Sequence, residues 1–417
     1  MKVTVLTATL CLGVWFAAVQ TAGAASPAWV EMTATGAEAR LVSDAATCPS
    51  IVIDGETHPM SERAAPSEGF PNRVCEYDLP GGARAVSLDG QSLAPPVARP
   101  RRIVILGDSG CRLKGAVVQH CNDPSGWPFA QVAALAAARR PDLVIHVGDY
   151  YYRETPCPAG NAACAGSPYG DRWATWKAEV FDPAAPLLST APWVFARGNH
   201  EDCKRGGAGW FRLLDADPAM RACPAQSDTF AVDLGGVKLM IVDSADSEDV
   251  TAPADLVAAF ASRLDAVVAS DKSDPIWIVT HRPVWDAVRA GPLLLDAKVN
   301  ATERAAVKQR DLTGVDLVLS GHVHDFTSLG FVPGRPAQLV VGTGGDLLNK
   351  DDFPPPATGR AFVDGLTAKV FTMGRFGYFL FERRGDDWVG AFHDLSDNIS
   401  AICRLHGRAL SCRKPRG

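Results

Sequence analysis

The sequence predicts an α/β fold, a sandwich of two packed sheets flanked by helices, together with a small β-rich N-terminal domain. Three observations carry this prediction. First, five short apolar runs rich in β-branched residues, at 103–106, 143–147, 193–196, 276–279 and 317–319, each stop at a polar loop. Runs that are apolar throughout, without alternation, read as strands buried on both faces, as in parallel or mixed sheets. Second, helical stretches lie between them, an alanine-rich one at 130–140 and another at 253–270, where Leu256, Phe260, Leu264 and Val267 line one face. Third, residues 25–99 show only short strand-like runs between Gly, Pro and Asp turns, with none of that strand-to-loop grammar.

Taken in order, the chain begins Met1-Lys2, continues apolar to about Val19 and reaches Ala22-Gly23-Ala24. A basic start, an apolar stretch and a small-x-small site predict a secretory signal peptide over 1–24, and hence a periplasmic or secreted protein. An uncleaved anchor is the alternative reading, because the run is near the lower limit for a membrane span. Residues 25–99 form the small β-rich unit, with runs such as Arg40-Leu41-Val42 and Ile51-Val52-Ile53 and a proline-rich exit at 94–100. The main domain is expected over 100–398. It gains further strands at 237–242 and 338–341, and a closing hairpin in which 378–382 and 388–392 flank Gly385-Asp386-Asp387. Residues 399–417 read as a disulfide-closed tail.

Eleven cysteines are present, and removing Cys11 with the leader leaves ten. They fall as sequence-adjacent couples, Cys48 and Cys75, Cys111 and Cys121, Cys157 and Cys164, Cys203 and Cys223, Cys403 and Cys412. An even count in an exported chain predicts five local disulfides, whereas a thiolate zinc site would need CxxC-like couples that are absent. The formal charge of -6 leaves no footprint for nucleic-acid binding. No stretch after the leader is long and apolar enough for a membrane helix, so no membrane association is expected after cleavage.

The five polar loops carry the chemistry. They read Gly107-Asp108-Ser109-Gly110, Gly148-Asp149-x-x-Tyr152, Gly198-Asn199-His200-Glu201, Ile278-x-x-His281 and Gly321-His322-x-His324. Every one brings a metal-ligand type of side chain to a strand's carboxyl end, the edge where ligands collect in such sheets. Any one of these residues alone could be an ordinary turn or cap residue. In this order they resemble the calcineurin-like metallophosphoesterase superfamily, and within it the purple acid phosphatase branch, over roughly residues 101 to 395. The general superfamily has Asp-x-His in its first block and no tyrosine after its second; here position 110 is glycine and Tyr152 is present.

The resemblance implies a dinuclear centre. Asp108, Asp149, Tyr152 and His324 would hold Fe(III), and Asp149 would bridge to a divalent ion (Zn, Mn or Fe) held by Asn199, His281 and His322. A phenolate three residues beyond the bridging carboxylate fills the place of the missing imidazole and suits a hard trivalent ion. Two Mn or Zn ions, with Tyr152 as a packing residue, are the alternative. The implied activity is hydrolysis of small-molecule phosphate esters by a metal-bound hydroxide, with His200 protonating the leaving alcohol or stabilising the pentacoordinate phosphorus. A phosphodiesterase of the general type and a redox-active iron protein are the other readings. The better-known purple acid phosphatases carry further histidines about ten residues after the fourth block, and 285–290 has none. Arg282 is the first replacement for phosphate binding, followed by Arg289, Arg112 and Lys114. Trp173, Trp176 and Trp210 are assigned to the core, and His58, His120, His146, His393 and His406 to structural roles.

Overall fold

In the computed structural model, which describes residues 26–217, 223–331, 334–349 and 356–416, the five apolar runs are strands with alternate side chains in different cores. The leader expected over 1–24 lies outside the described residues. Strands Arg102–Leu106, Leu143–His146 and Trp193–Phe195 run parallel side by side in an eleven-stranded sheet. Lys238–Ile241, Ile276–Val279, Val315–Ser320 and Ala337–Val341 do the same in an eight-stranded sheet.

The two sheets pack face to face. Ile103, Ile105 and Ile145 of the first meet Leu239, Trp277, Val279, Leu317 and Leu319 of the second. The intervening side chains point the other way, which is why the runs are apolar without alternation. Val104, Leu106 and Val144 pack on Phe129, Val132 and Ala136 of the helix Phe129–Ala138. Ile276, Ile278 and Val318 pack on Phe260, Leu264 and Val267 of the helix Ala254–Ala269. On that helix Val257 faces the core, while Leu256 is only half-buried. The result is four layers, helix, sheet, sheet, helix, and burying each large apolar side chain is worth about 1.5–3 kcal/mol.

The N-terminal stretch is β-rich as expected, and its strands are divided between two sheets. Ala28–Thr33 runs parallel to Trp193–Phe195, and Gly36–Ser43, Arg73–Leu79 and Ser61–Ala64 continue that large sheet outward. Ser50–Ile53, Glu56–Pro59, Val86–Leu88 and Gln91–Leu93 form a four-stranded sheet of their own. At the other end, Gly377–Arg384 and Asp387–Asp394 make the hairpin expected around 385–387, and its first strand pairs with Arg102–Leu106. Ile399–His406 and Ala409–Arg413 complete the edge.

All five expected disulfides are present, Cys48–Cys75, Cys111–Cys121, Cys157–Cys164, Cys203–Cys223 and Cys403–Cys412, which marks an oxidising environment. Among the described residues no helix is long and apolar enough to cross a membrane. Trp176 and Trp210 are buried and Trp173 packs against the same core. Some elements had no sequence signal. The helical run from Trp173 through Leu188 contains Pro183 and Pro186, residues that disfavour a helix interior. The short helix Ala301–Val307 is opened by Asn300, whose Oδ1 accepts from Glu303 N at 3.2 Å.

Candidate metal centre

Parallel pairing places the ends of the five strands at one edge, and backbone hydrogen bonds lace their loops together. Asp108 N donates to Gly148 O (2.9 Å), Ser109 N to Asp149 O (3.0 Å), Gly321 N to His281 O (2.9 Å) and Asp346 N to Asp108 O (2.9 Å). Two buried glutamates clamp the second loop. Glu201 accepts from Gly198 N (3.0 Å), Asp149 N (3.1 Å), Tyr150 N (2.8 Å) and Tyr151 N (2.9 Å). Glu179 accepts from Cys111 N (2.8 Å) and Tyr152 N (3.0 Å). This lacing holds Asp108, Asp149, His322 and His324 in left-handed backbone, at φ 55°, 60°, 74° and 54°. Such conformations are unfavourable for non-glycine residues and persist where the surroundings over-determine them, commonly at functional sites.

Two groups of donor atoms result, and they share Asp149. Asp108, Asp149 and His324 form one, Asp149, His281 and His322 the other, and within each group the donor atoms lie within 4.8 Å of one another. The Tyr152 hydroxyl joins the first, 2.8 Å from Asp149 Oδ2, 3.2 Å from Asp108 Oδ1 and 3.0 Å from His324 Nε2. Asn199 joins the second, its Oδ1 3.1 Å from His281 Nε2. All seven residues expected as ligands are therefore brought together.

The glycine at position 110 and the tyrosine at 152 are explained by the same geometry. A Cβ on Gly110 would lie 2.7 Å from Tyr152 Cδ2 and 2.6 Å from Tyr150 O. Any side chain at 110 would occupy the volume of the phenol ring, so a histidine there and Tyr152 exclude one another.

The imidazoles are oriented from behind. His281 Nδ1 lies 2.9 Å from Val147 O and His324 Nδ1 2.7 Å from Leu347 O, so each Nδ1–H donates outward and each Nε2 lone pair faces the centre. His322 is reversed: its Nε2 sits 3.2 Å from both oxygens of Asp249, which leaves Nδ1 for the centre.

Electrostatics test whether this donor set fits cations. Burial pushes the carboxyls of Asp108 and Asp149 up, but neighbouring imidazoles, His324 for Asp108 and His281 for Asp149, outweigh it and hold both below the usual range. Burial lowers His281 and His324, yet the same carboxylates, with Asp346 beside His324, raise them to about 9. Burial and Asp149 drive the Tyr152 phenol well above its ordinary value, whereas burial and Arg282 lower His322 to about 4. The buried carboxylates thus draw protons onto two imidazoles and keep a phenol protonated. Metal cations displace such protons, and two carboxylates, a phenol, three imidazoles and an amide fit two cations well.

Around this centre lie the other residues named from the sequence, with partners that no motif announced. His200 donates its backbone N–H to Asp149 Oδ1 (2.9 Å), packs its ring against Tyr152 with centroids 4.0 Å apart and planes tilted by 37°, and has Nδ1 3.0 Å from Glu154 Oε1. Arg282 does reach the edge, with Nη1 3.0 Å from His322 Nε2, but it pairs with Asp249 at 2.5 Å. Arg112 pairs with buried Asp346 and stacks on the Tyr152 ring at 4.6 Å. Arg289 lies instead on the hairpin of Ala287–Ala290 and Leu293–Asp296, its Nε donating to Gly291 O. His146 is structural, its Nε2 2.9 Å from Ser109 Oγ inside the first block. The partners of these groups lie up to 234 residues away in sequence, as Arg112 and Asp346 do, so no local signal could have found them.

Comparison with known proteins adds the following. A family model described as calcineurin-like phosphoesterase matches residues 101–326. No curated protein matches by sequence. Among solved structures, a purple acid phosphatase from yellow lupin (Lupinus luteus) seeds is 14% identical and superposes with a TM-score of 0.55, covering 90% of this chain and 72% of that one. A structure of PhoD is 11% identical with a TM-score of 0.55, covering 94% of this chain and 92% of that one. At these identities the likeness to the two structures is one of fold.

Proposed function

Because the chain belongs to the calcineurin-like phosphoesterase family, we propose that it is an exported, metal-dependent enzyme that hydrolyses small-molecule phosphate esters. The observation that carries this reading is the convergence of two donor groups on the shared carboxylate of Asp149. Asp108, Asp149, Tyr152 and His324 would hold one ion, and Asn199, His281 and His322 the second. Fe(III) is assigned to the first, since a phenolate is a hard anionic donor, and a divalent ion to the second; Mn or Zn in both is the alternative. When bound, the pair supplies Lewis acidity to the phosphoryl oxygens and makes a water acidic enough to attack phosphorus.

The chain's own residues do the rest. Val147 O and Leu347 O hold His281 and His324 in the tautomer whose Nε2 faces the centre. His200, beside Asn199 and facing Tyr152, delivers a proton to the leaving oxygen. The five disulfides and the expected leader support a periplasmic or secreted setting. A second reading, preference for diesters, is favoured by the cations at the edge. Arg112, Arg282 and Lys114 are each paired with a carboxylate, Asp346, Asp249 and Glu154 respectively, which suits a monoanionic diester better than a dianionic monoester.

The test is the visible absorption spectrum and metal content of the purified protein beside Tyr152→Phe, with turnover of 4-nitrophenyl phosphate and bis(4-nitrophenyl) phosphate. A charge-transfer band lost in the variant, with iron and a second metal near one each, supports the iron assignment. A colourless protein with two Mn or Zn ions and an unchanged variant would reduce Tyr152 to packing. Absence of turnover of either ester by the metal-loaded protein would overturn the phosphoesterase reading.

A further inference from the structure

The loops at which the parallel strands begin, at the edge opposite the metal centre, enclose a cavity of about 420 Å³. Arg99 precedes the strand Arg102–Leu106, Gly236 precedes Lys238–Ile241 and Pro275 precedes Ile276–Val279, whereas the candidate metal ligands follow the far ends of their strands. The turns at Gly385 and Gly407 close it. The five residues of Arg102–Leu106 separate the two edges by about 16 Å.

We propose that this cavity is an anion-binding site, one that takes an oxyanion group (sulfate, phosphate or carboxylate) between the guanidiniums of Arg383 and Arg99. Arg383 is buried, at 8% exposure, and no carboxylate among the described residues pairs with it. Its Nη1 donates to Gly235 O at 2.8 Å, its guanidinium carbon lies 4.7 Å from the centroid of the Trp388 ring, and its Nη2 has no hydrogen-bond partner among the described residues. Arg99 reaches the same spot. A Cβ on Gly236 would stand 3.5 Å from Arg383 Nη1 and 3.7 Å from Arg99 Nη2, so two like charges flank one point of the cavity wall. They repel, and a buried N–H without an acceptor is unfavourable as well. An oxyanion seated between them relieves both, since the N–H groups of a guanidinium match the oxygens of such an ion.

The remaining charges leave that place open. Asp316 lies 3.9 Å from Arg408 Nε, and His406 Nδ1 is taken by Asp387 at 2.5 Å. Asp386 is exposed and Asp274 half-buried, and neither is within ion-pair distance of Arg383 or Arg99. Burial, and after it the charge of Arg99, keep the Arg383 guanidinium below its ordinary pKa in spite of Asp274 and Asp386, as expected of a cation that lacks a counter-ion. Arg383 also lines an adjoining cavity with Arg101, Arg102 and Arg384, where Asp142 pairs with Arg102 and Glu382 with Arg384. The Arg101 guanidinium has no carboxylate partner among the described residues, and its carbonyl accepts from Arg383 N at 2.8 Å. A ligand with several anionic groups can continue onto it.

The test titrates sodium sulfate and sucrose octasulfate, neither of them a phosphate ester, into the metal-loaded protein at constant ionic strength, read by calorimetry and tryptophan fluorescence. Wild type is compared with Arg99→Ala, Arg383→Met and His281→Ala. Arg99 is exposed, so its variant keeps the test decisive if Arg383→Met fails to fold. Losing one charge-assisted partner should weaken binding about tenfold or more in each arginine variant, while His281→Ala, at the other edge, should bind as the wild type does. Binding of sulfate by itself supports a site for a free ion; binding of the octasulfate alone supports one for a polyanion that also uses Arg101. A wild type that binds neither anion would overturn the proposal. So would binding that survives both arginine variants and is lost in His281→Ala, because the anion would then sit at the metal centre.

Discussion

The most exacting check on the centre is a single methyl group at Gly110. Its φ is not in the left-handed region, so alanine is at ease in the backbone and any effect of Gly110→Ala is steric. The new Cβ would meet Tyr150 O at 2.6 Å, Tyr152 Cδ2 at 2.7 Å and Glu179 Oε1 at 3.0 Å, where ordinary contact begins at 3.4 Å. The Tyr152 ring or the backbone at Tyr150 must retreat by about 0.7 Å or more. Neither moves freely, because Glu179 pins Tyr152 N and the phenol lies between Asp108, Asp149 and His324. Overpacking of this kind costs about 1–3 kcal/mol, and a displacement approaching 1 Å at a reacting centre can lower turnover about 100-fold. Urea unfolding should show a lower midpoint at unchanged slope, and metal analysis a loss from the Tyr152 side of the centre. Gly81→Ala is the control, since nothing lies within 4 Å of its Cβ and its φ is ordinary. If Gly110→Ala matched Gly81→Ala in midpoint, metal content and turnover, the packing of Tyr152 against position 110 would be refuted.

Two other perturbations follow from the same structure. Glu201→Ala leaves four backbone N–H groups without their acceptor in a buried loop, each unmet group costing about 1–3 kcal/mol, so a loss of about 4 kcal/mol or more is expected in chemical unfolding; less than about 1 kcal/mol would mean the clamp is dispensable. Glu303 is fully buried, and burial raises its carboxyl to about 8 despite Asn300, Arg282 and Arg263. Folded protein then holds a proton that unfolded chain releases, so this group's stabilisation is full below about 4.5 and is lost as pH rises through about 8. Glu303→Gln, which does not titrate, should gain on the wild type in urea midpoint from pH 5 to pH 9, and a constant difference across that range would sink the assignment.

Much of the centre was legible because its donors are local to strand ends. An apolar run buried on both faces, a glycine (a threonine in the fourth block) and then a carboxylate, amide or imidazole is a pattern within ten residues, and five repetitions in one chain place those residues at one edge once the strands are parallel. Asp108, Asp149, Tyr152, Asn199, His281, His322 and His324 could be named once these blocks were matched to the family they resemble. The groups behind them could not. Glu179 looks like any helical glutamate and Glu201 stood in the third block without a role, yet they hold the loop that carries Asp149 and Tyr152. Arg282 was expected to be available to phosphate, and its pairing with Asp249 depends on a loop from a different strand end. Likewise, 25–99 showed its strands but not that Ala28–Thr33 would lie beside Trp193–Phe195, because pairing partners are not encoded in periodicity.

The chain by itself therefore carried the strand grammar, the disulfide couples and, through the family its blocks resemble, the candidate inner donors, all of which sit in short stretches of sequence. The tertiary structure alone decided which nitrogen of each histidine faces inward, that Gly110 makes room for Tyr152, and that Glu154 stands behind His200. These depend on distances between side chains brought together from separate loops, and distance in space is set only when the two sheets pack.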